Sequence, residues 1–118
     1  MPTERLADCI FCRIARDELA AERVYEDASV IGFKDVNPQA PVHVVVMPRQ
    51  HVPSVAELVG DQELAGRLLA AAARVAAEQG LVASGYRIAT NHGRDGSQSV
   101  DHLHLHVLGG RPLSGQLG

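Results

Sequence analysis

The chain has 118 residues, 46% of them hydrophobic, and a formal net charge of −3 at neutral pH. That length suits one domain with a modest core, which we place over the whole of residues 1–118. The negative charge, with two Phe, two Tyr and no Trp, excludes a broad cationic surface or a base-stacking platform, so we expect no nucleic-acid partner. No apolar stretch approaches the roughly 20 residues of a membrane span, so we expect no membrane partner.

The N-terminal stretch MPTERLADC is charged and lacks the apolar run of an export signal. The two cysteines lie three positions apart, a spacing that does not suggest a disulfide scaffold. Together these features predict a reduced, cytoplasmic protein.

The first half of the chain predicts one short helix and three strands. Residues 8–16 carry apolar side chains at helical spacing behind Asp8, which predicts a short helix capped by that aspartate. Two prolines exclude regular structure from the segment 36–41 and predict a loop. The β-branched and alternating segments predict strands over 22–27, 29–35 and 42–48, the last of them buried on both faces or nearly so.

The second half begins with the most regular pattern in the chain. Apolar residues recur at helical spacing over 61–79, and Gly80 follows, which predicts a long helix ending there. Strands are predicted over 86–90 and 103–108, separated by a glycine- and serine-rich loop at 91–99. The short connections favour an α+β domain with a mainly antiparallel sheet.

Three of the six histidines alternate along the last predicted strand, as His102, His104 and His106 in the stretch DHLHLHVL. Alternation on a strand places the three rings on one face and the intervening apolar side chains on the other. A solvent-facing strand would not need three imidazoles. A catalytic metal site and direct nucleophilic attack by a neutral imidazole both remain open, because histidine serves in each.

The loop that leads into these histidines favours attack at phosphorus. Gly93 and Gly96 allow close approach of the backbone to a ligand, while Ser97 and Ser99 supply hydroxyl donors. Successive N–H groups in such a loop can hold a phosphate. A phosphate loop that opens directly into a histidine-lined strand predicts a nucleotide site.

The motif NHGRDGSQSVDHLHLHVLGGR resembles the histidine triad (HIT) family, in its branch of histidine triad nucleotide-binding proteins or purine nucleoside phosphoramidases. FKDVNPQAPVHVVVMPRQHV and CIFCRI extend the likeness over about residues 8–111. The resemblance implies a five-stranded antiparallel sheet with two helices, and a homodimer whose sheets join into one ten-stranded sheet.

The resemblance also implies the role of each catalytic residue. His104 is the nucleophile that forms a nucleotidyl-histidine intermediate, and the backbone carbonyl of His102 orients its other ring nitrogen. His106 lies near the phosphate oxygens and the leaving atom, and Ser99 helps to protonate a departing amine. His43 matches a histidine beside the site.

Nucleotide contacts are implied in the same way. Asp35 matches a carboxylate that accepts hydrogen bonds from the ribose hydroxyls, as two vicinal hydroxyls can donate to one carboxylate. The residues matched to the phosphate region, besides Ser99, His104 and His106, are Asn91, Ser97 and Gln98. Those matched to the apolar pocket around the base are Ile10, Phe11, Ile14, Leu19, Phe33 and Val36.

Cys9 and Cys12 have the spacing of half a zinc site, and His51 and His102 complete a Cys₂His₂ set. Some relatives bind zinc at these positions and others lack the cysteines. We therefore keep both alternatives, a structural zinc ion or two small buried thiols. No cofactor is needed for the predicted chemistry.

The predicted activity is hydrolysis of nucleoside 5′-monophosphoramidates, with adenosine as the nucleoside. The alternatives are a dinucleoside polyphosphate hydrolase, a metal-dependent phosphohydrolase and a nucleotide-binding scaffold with little turnover. Three features depart from the family pattern: Asp101 stands where an aromatic is common, Ser97 stands where glycine is frequent, and the tail RPLSGQLG lacks an aromatic, proline-rich ending.

Overall fold

The computed structural model describes residues 8–118, so most of the segment used to predict the lack of an export signal lies outside the described residues. The helices are α1 (Ile10–Ala15) and α2 (Gln62–Glu78). The strands are β1 (Arg23–Glu26), β2 (Val30–Lys34), β3 (Val42–Pro48), β4 (Tyr86–Ala89) and β5 (Leu105–Gly109). They form one antiparallel sheet in the order β1-β2-β3-β5-β4, which confirms the predicted α+β class.

The long helix covers one face of the sheet. It begins at Asp61, whose carboxylate accepts the backbone N–H of Leu64 at 3.0 Å, as an N-cap should. Its buried side chains, such as Leu68 and Val75, pack with Val44 of β3 and Val107 of β5. This helix therefore fixes the central strands from behind and leaves their other face to the short helix.

The short helix α1 lies over that second face. Phe11 and Ile14 are buried there with Phe33 of β2 and Val45 and Met47 of β3. The sequence wrongly predicted Asp8 as the helix cap. The N-cap is Cys9, whose sulfur accepts the N–H of Cys12 at 3.4 Å. The Cys9 thiol is buried where these two cysteines meet the histidines.

The last strand begins later than the sequence predicted, at Leu105 instead of residue 103. His102 and His104 consequently lie in the segment before β5, which is tied down by a 2.6 Å hydrogen bond from the N–H of Leu103 to the carbonyl of Val52. The predicted alternation still holds, since Leu103, Leu105 and Val107 belong to the core under α2 while the histidine rings contact the side of α1.

One element was missed altogether. Residues Val55–Gly60 form a 3₁₀ helix capped by Ser54, whose hydroxyl accepts the N–H of Ala56 at 3.2 Å. Six residues without a long apolar pattern carry little helical signal in sequence. No helix within residues 8–118 is long and apolar enough to cross a membrane.

Candidate active site

The three predicted histidines meet on the α1 side of the sheet, next to β3. The rings of His104 and His106 lie 5.0 Å apart between centroids, and Phe11 packs edge-on against His104 at 5.0 Å and His102 at 5.8 Å. His43, at the start of β3, packs against His106 with centroids 5.1 Å apart. Four imidazoles thus surround one short stretch of backbone.

His104 is held by a bond that sets its tautomer. Its Nδ1 lies 2.7 Å from the carbonyl oxygen of His102, the contact that the resemblance implied. A carbonyl can only accept, so Nδ1 carries the proton and Nε2 carries the lone pair. Among residues 8–118 no fully buried side-chain nitrogen or oxygen lacks a hydrogen-bond partner, so Nε2, which bonds to none of them, must reach the surface.

His43 and His106 form a second ordered pair. The backbone N–H of Gln39 donates to Nδ1 of His43 at 3.0 Å, so the proton of His43 sits on Nε2. That Nε2 lies 2.9 Å from Nδ1 of His106 and 3.4 Å from Oδ2 of Asp35. His106 accepts at Nδ1 and therefore keeps its own proton on Nε2. His106 therefore offers an N–H at its Nε2, whereas His104 offers a lone pair at its Nε2.

Burial keeps these rings neutral. Desolvation lowers the pKa of His104, although its hydrogen bond to the His102 carbonyl and the charge of Asp35 act the other way. Desolvation also lowers the pKa of His43 and brings the pKa of His106 to about 4, the latter helped by its histidine neighbours. A neutral imidazole at physiological pH is the nucleophilic form.

A separate cluster surrounds the ring of His102. Its Nε2 lies 2.8 Å from the carbonyl of Pro48, which places the proton there and the lone pair on Nδ1. Nδ1 lies 3.4 Å from Sγ of Cys9 and 3.6 Å from Sγ of Cys12. Nδ1 of His51 is 3.1 Å from the Cys12 sulfur.

These four residues fit a tetrahedral metal ion. Their ligand atoms lie within 4.8 Å of one another, and Cys9 and Cys12 are buried thiols. Zinc–sulfur and zinc–nitrogen bonds of ordinary length place neighbouring ligand atoms roughly 3.6 Å apart, close to the contacts of His102. The carbonyl of Pro48 on the far nitrogen of His102 is the outer partner that metal-bound histidines usually have.

Asp35, His43 and His106 also bring three ligand atoms within 4.8 Å of one another. Their hydrogen bonds argue against a metal, because the Gln39 N–H occupies Nδ1 of His43 and leaves a proton on the nitrogen that faces the cluster. A neutral imidazole needs a lone pair to bind a metal. The arrangement favours proton handling, and it disfavours the metal-dependent phosphohydrolase.

The loop at 91–99 is braced by two amide side chains that the sequence assigned to phosphate. Nδ2 of Asn91 donates to the carbonyl of Gly96 at 2.6 Å. Gln98 accepts the N–H of Gly93 at 2.9 Å and donates to the carbonyl of Pro53 at 2.8 Å. Both amides therefore shape the loop, and we expect its N–H groups and hydroxyls to meet a phosphate.

The two serines of the loop are exposed, and one has unusual backbone geometry. Ser97 has φ of 60°, in the region that favours glycine, at the position where the resemblance expected glycine. Gly96 has no room for a side chain, since a Cβ would lie 2.4 Å from the carbonyl oxygen of His92. Ser99 comes three residues before His102 in the chain, and its side chain is exposed. Asp101 is exposed as well.

The apolar residues assigned to the base divide into two groups. Phe11, Ile14 and Phe33 are buried in the core under α1. Ile10, Leu19 and Val36 are exposed, with Val36 96% accessible although it adjoins Asp35. The exposed members are the ones available to a ligand.

Several backbone partners were not found by sequence reasoning. Thr90, directly after β4, donates its hydroxyl to the carbonyl of His104 at 2.7 Å and so fixes the main chain of that residue. The carbonyl of Pro48 and the amide of Gln39 set two ring tautomers. Every residue has the same backbone groups, so the sequence gives no signal for the partners at Pro48 and Gln39. Thr90 does give a signal, because its side-chain hydroxyl stands at the end of a predicted strand.

The fold and site define a class of protein in which a histidine triad at the start of the last strand lies on an antiparallel sheet, with a lone pair on the middle histidine. A family model described as HIT domain matches residues 16–113, most of the chain. The chain belongs to the HIT family.

Its relatives include hydrolases of known structure. The chain is 40% identical over 111 residues to the purine nucleoside phosphoramidase of Escherichia coli K12, covering 93% of each protein. It is 38% identical to a HIT family hydrolase from Legionella pneumophila Philadelphia 1, with a TM-score of 0.89, over 93% of this chain and 99% of that one. A HIT family hydrolase from Clostridium thermocellum is 39% identical, with a TM-score of 0.90, over 96% and 99% of the two chains.

Proposed function

We propose that this protein is a nucleotide-binding hydrolase that cleaves nucleoside 5′-monophosphoramidates, with adenosine as the nucleoside, through a nucleotidyl intermediate on His104. The observation that carries the proposal is the hydrogen bond from Nδ1 of His104 to the carbonyl of His102. It leaves the lone pair on Nε2, as a nucleophile requires. The likeness to a named phosphoramidase supports the substrate class.

In the first step the Nε2 lone pair of His104 forms a bond to phosphorus as the phosphorus–nitrogen bond breaks. The bonding electrons leave with the amine, which takes up a proton. Water then attacks the same phosphorus and releases one proton to solvent, Nε2 departs with its electron pair, and a nucleoside monophosphate is released. Splitting the transfer in two lets an imidazole serve first as nucleophile and then as leaving group.

Two groups can donate hydrogen bonds beside the reacting phosphorus. His106 keeps an N–H on Nε2, because its Nδ1 accepts from His43. Ser99 is exposed at the end of the loop and carries a hydroxyl. We assign to the neutral His106 a hydrogen bond to the phosphate oxygens, where negative charge develops, and to the Ser99 hydroxyl the relay of a proton from solvent to the departing amine.

The nucleoside would lie along the exposed rim of the site. Asp35 is partly exposed, and its Oδ1 accepts the N–H of Asn37 at 2.8 Å, which orients the carboxylate. We assign the ribose hydroxyls to this carboxylate, and the base to the exposed side chains of Ile10, Leu19 and Val36. Apolar contacts to a base discriminate weakly between substrates that differ in the leaving group.

We assign a structural zinc ion to Cys9, Cys12, His51 and His102. Four protein ligands leave no open position, so the ion would hold α1 and the segment before β5 together and take no part in the reaction. Such a site would contribute its binding energy to folding.

We also propose a homodimer in which the sheet continues across the two copies. β4 ends the sheet on one side, and an unpaired edge strand is a template for pairing with another chain. Tyr86 at its start and the nearby Val82 are exposed. A light-scattering mass near that of one 12.6 kDa chain would contradict this assignment.

Intact mass after brief mixing with an adenosine 5′-monophosphoramidate tests the proposed function. We expect wild type to gain one adenylyl group, His104→Ala to gain none while still binding adenosine monophosphate, and His92→Ala, which removes an exposed imidazole, to behave as wild type. Turnover by His104→Ala at the wild-type rate would exclude the covalent route. Binding without any label or turnover in wild type would favour the scaffold, and preferred labelling by a dinucleoside polyphosphate would favour that hydrolase class.

A further inference from the structure

The segment directly after the last strand clasps the loop that carries Asp35. Gly110 has φ of 96°, and a Cβ there would lie 2.9 Å from Cβ of Pro41, so the backbone packs closely on the loop. Arg111 then reaches back with its Nη2 to the carbonyl of Gln39 at 3.0 Å, while its Nη1 donates to the carbonyl of Pro112 at 2.9 Å. A planar guanidinium holds two acceptors in a fixed geometry.

The clasped residue is the one that sets the proton of the histidine pair. The N–H of Gln39 donates to Nδ1 of His43 at 3.0 Å. Pro38 and Pro41 flank this position and have no N–H to offer. The Gln39 carbonyl is bonded by Arg111 and the Gln39 N–H is bonded to His43, so the two peptide planes that meet at this Cα are each anchored, and loss of the Arg111 bond would free one of them.

The consequence reaches the reacting face through two rings. With Nδ1 of His43 occupied by an N–H, the proton of His43 must sit on Nε2, where it faces Nδ1 of His106 at 2.9 Å. His106 must then keep its proton on the nitrogen that points away from His43. If the Gln39 N–H turned away from His43, the rings of His43 and His106 could each adopt their other tautomer. The other tautomer of His106 has no proton on Nε2, so it would offer no donor there.

Arg111 is suited to this task and to little else that the described residues show. It forms no ion pair with any residue of 8–118, whereas Arg23, Arg49 and Arg67 each pair with a carboxylate. Arg87 offers a natural comparison, because it also donates to a carbonyl of the tail, that of Ser114, but makes no contact with Gln39.

We propose that Arg111 is a positioning residue that, through Gln39 and His43, fixes the tautomer of His106. Because His106 donates a hydrogen bond to the reacting phosphate in the proposed function, the effect on turnover rests on that function. The effect on tautomers does not, since it requires no substrate.

Nitrogen-15 spectra of the histidine rings test the inference directly, because they report which nitrogen carries the proton. We expect wild type and Arg87→Gln to show single tautomers at His43 and His106, with the proton on Nε2. Arg111→Gln should show a mixture at both rings. Wild-type tautomers in folded Arg111→Gln would overturn the inference, and if that variant does not fold, Arg111→Leu, which has no donor for the Gln39 carbonyl, is judged in the same way.

Steady-state kinetics on an adenosine 5′-monophosphoramidate form the second readout. We expect kcat of Arg111→Gln to fall about five- to tenfold with KM within about twofold, because the hydrogen bond from His106 to the developing charge is impaired while nucleotide contacts remain. Arg87→Gln should keep both constants. An unchanged kcat beside mixed tautomers would refute the role of His106 and leave the positioning by Arg111 intact, while an inactive wild type would refute the proposed function alone.

Discussion

Two histidine clusters lie a few residues apart in this protein, and they prepare the same side chain for opposite tasks. At His102 the far nitrogen donates to a carbonyl, that of Pro48, and the ring presents a lone pair to two sulfurs. At His43 the far nitrogen accepts an N–H, that of Gln39, and the ring presents a proton to His106. The backbone group on the far nitrogen thus sets whether an imidazole offers a lone pair, as a metal ligand needs, or an N–H.

The largest expected effect is on kcat, and it distinguishes the cluster of Asp35, His43 and His106 from the proposed zinc cluster of Cys9, Cys12, His51 and His102. We expect His43→Leu to lower kcat on the order of 100-fold, because it removes the donor to Nδ1 of His106. His43→Gln, whose amide can still donate there, should lose less. Zinc content should be unchanged in both, as measured by mass spectrometry of the metal. Equal activity of the two variants would show that the hydrogen bond to His106 does not matter.

Substitution in the proposed zinc cluster should change metal content and stability and leave the chemistry intact. Cys12→Ser should lose bound zinc and several kcal/mol of unfolding free energy, because metal binding contributes to folding. The folded fraction should still form the nucleotidyl intermediate, since Nδ1 of His104 keeps its carbonyl partner. Metal analysis and urea unfolding measure the first two effects. Full zinc occupancy in this variant would refute the assigned ligands.

A pH series should reveal the cost of keeping rings neutral. The pKa of His106 is about 4 in the folded chain, against 6.5 ordinarily. The unfolded chain therefore binds more protons between these values, and stability should be constant above pH 6.5 and fall as the pH is lowered towards 4. His106→Gln should lose less unfolding free energy than wild type over this window in urea unfolding. A flat profile in wild type would contradict the burial argument.

The smallest effect concerns the loop between the clusters. Ser97→Gly should raise the unfolding free energy by about 0.5 kcal/mol, since relief of the positive φ slightly exceeds the extra entropy of an unfolded glycine. Ser99→Gly, without a positive φ to relieve, should lower stability. A Ser97→Gly protein as unstable as Ser99→Gly would mean that the loop stores no backbone strain.

Sequence patterns predicted the fold and the common face of the three histidines, and the family resemblance named the other residues that the fold brings close to them. Alternation in DHLHLHVL placed three rings on one face, and the burial of β3 followed from its β-branched residues. The family resemblance supplied the set of two cysteines and two histidines that the fold brings together. These succeeded because periodicity and spacing are properties of side chains, which a sequence states directly.

The errors and omissions share a physical cause. Cys9 replaced Asp8 as the helix cap, and the bonds by which Gln98 braces the loop were not foreseen, because both depend on which backbone groups lie nearby after folding. The start of β5 was misjudged since Leu103 bonds to Val52 instead of a neighbouring strand. Main-chain partners leave no trace in residue identity.

His102 belongs to both clusters, but through different parts of the residue. Its ring faces the sulfurs, while its peptide oxygen accepts the hydrogen bond of His104. Every amino acid supplies that oxygen, so a substitution at position 102 can remove the proposed metal ligand and leave the bond to His104 in place. Related chains could therefore lose the two cysteines and still keep the hydrogen bond that orients His104.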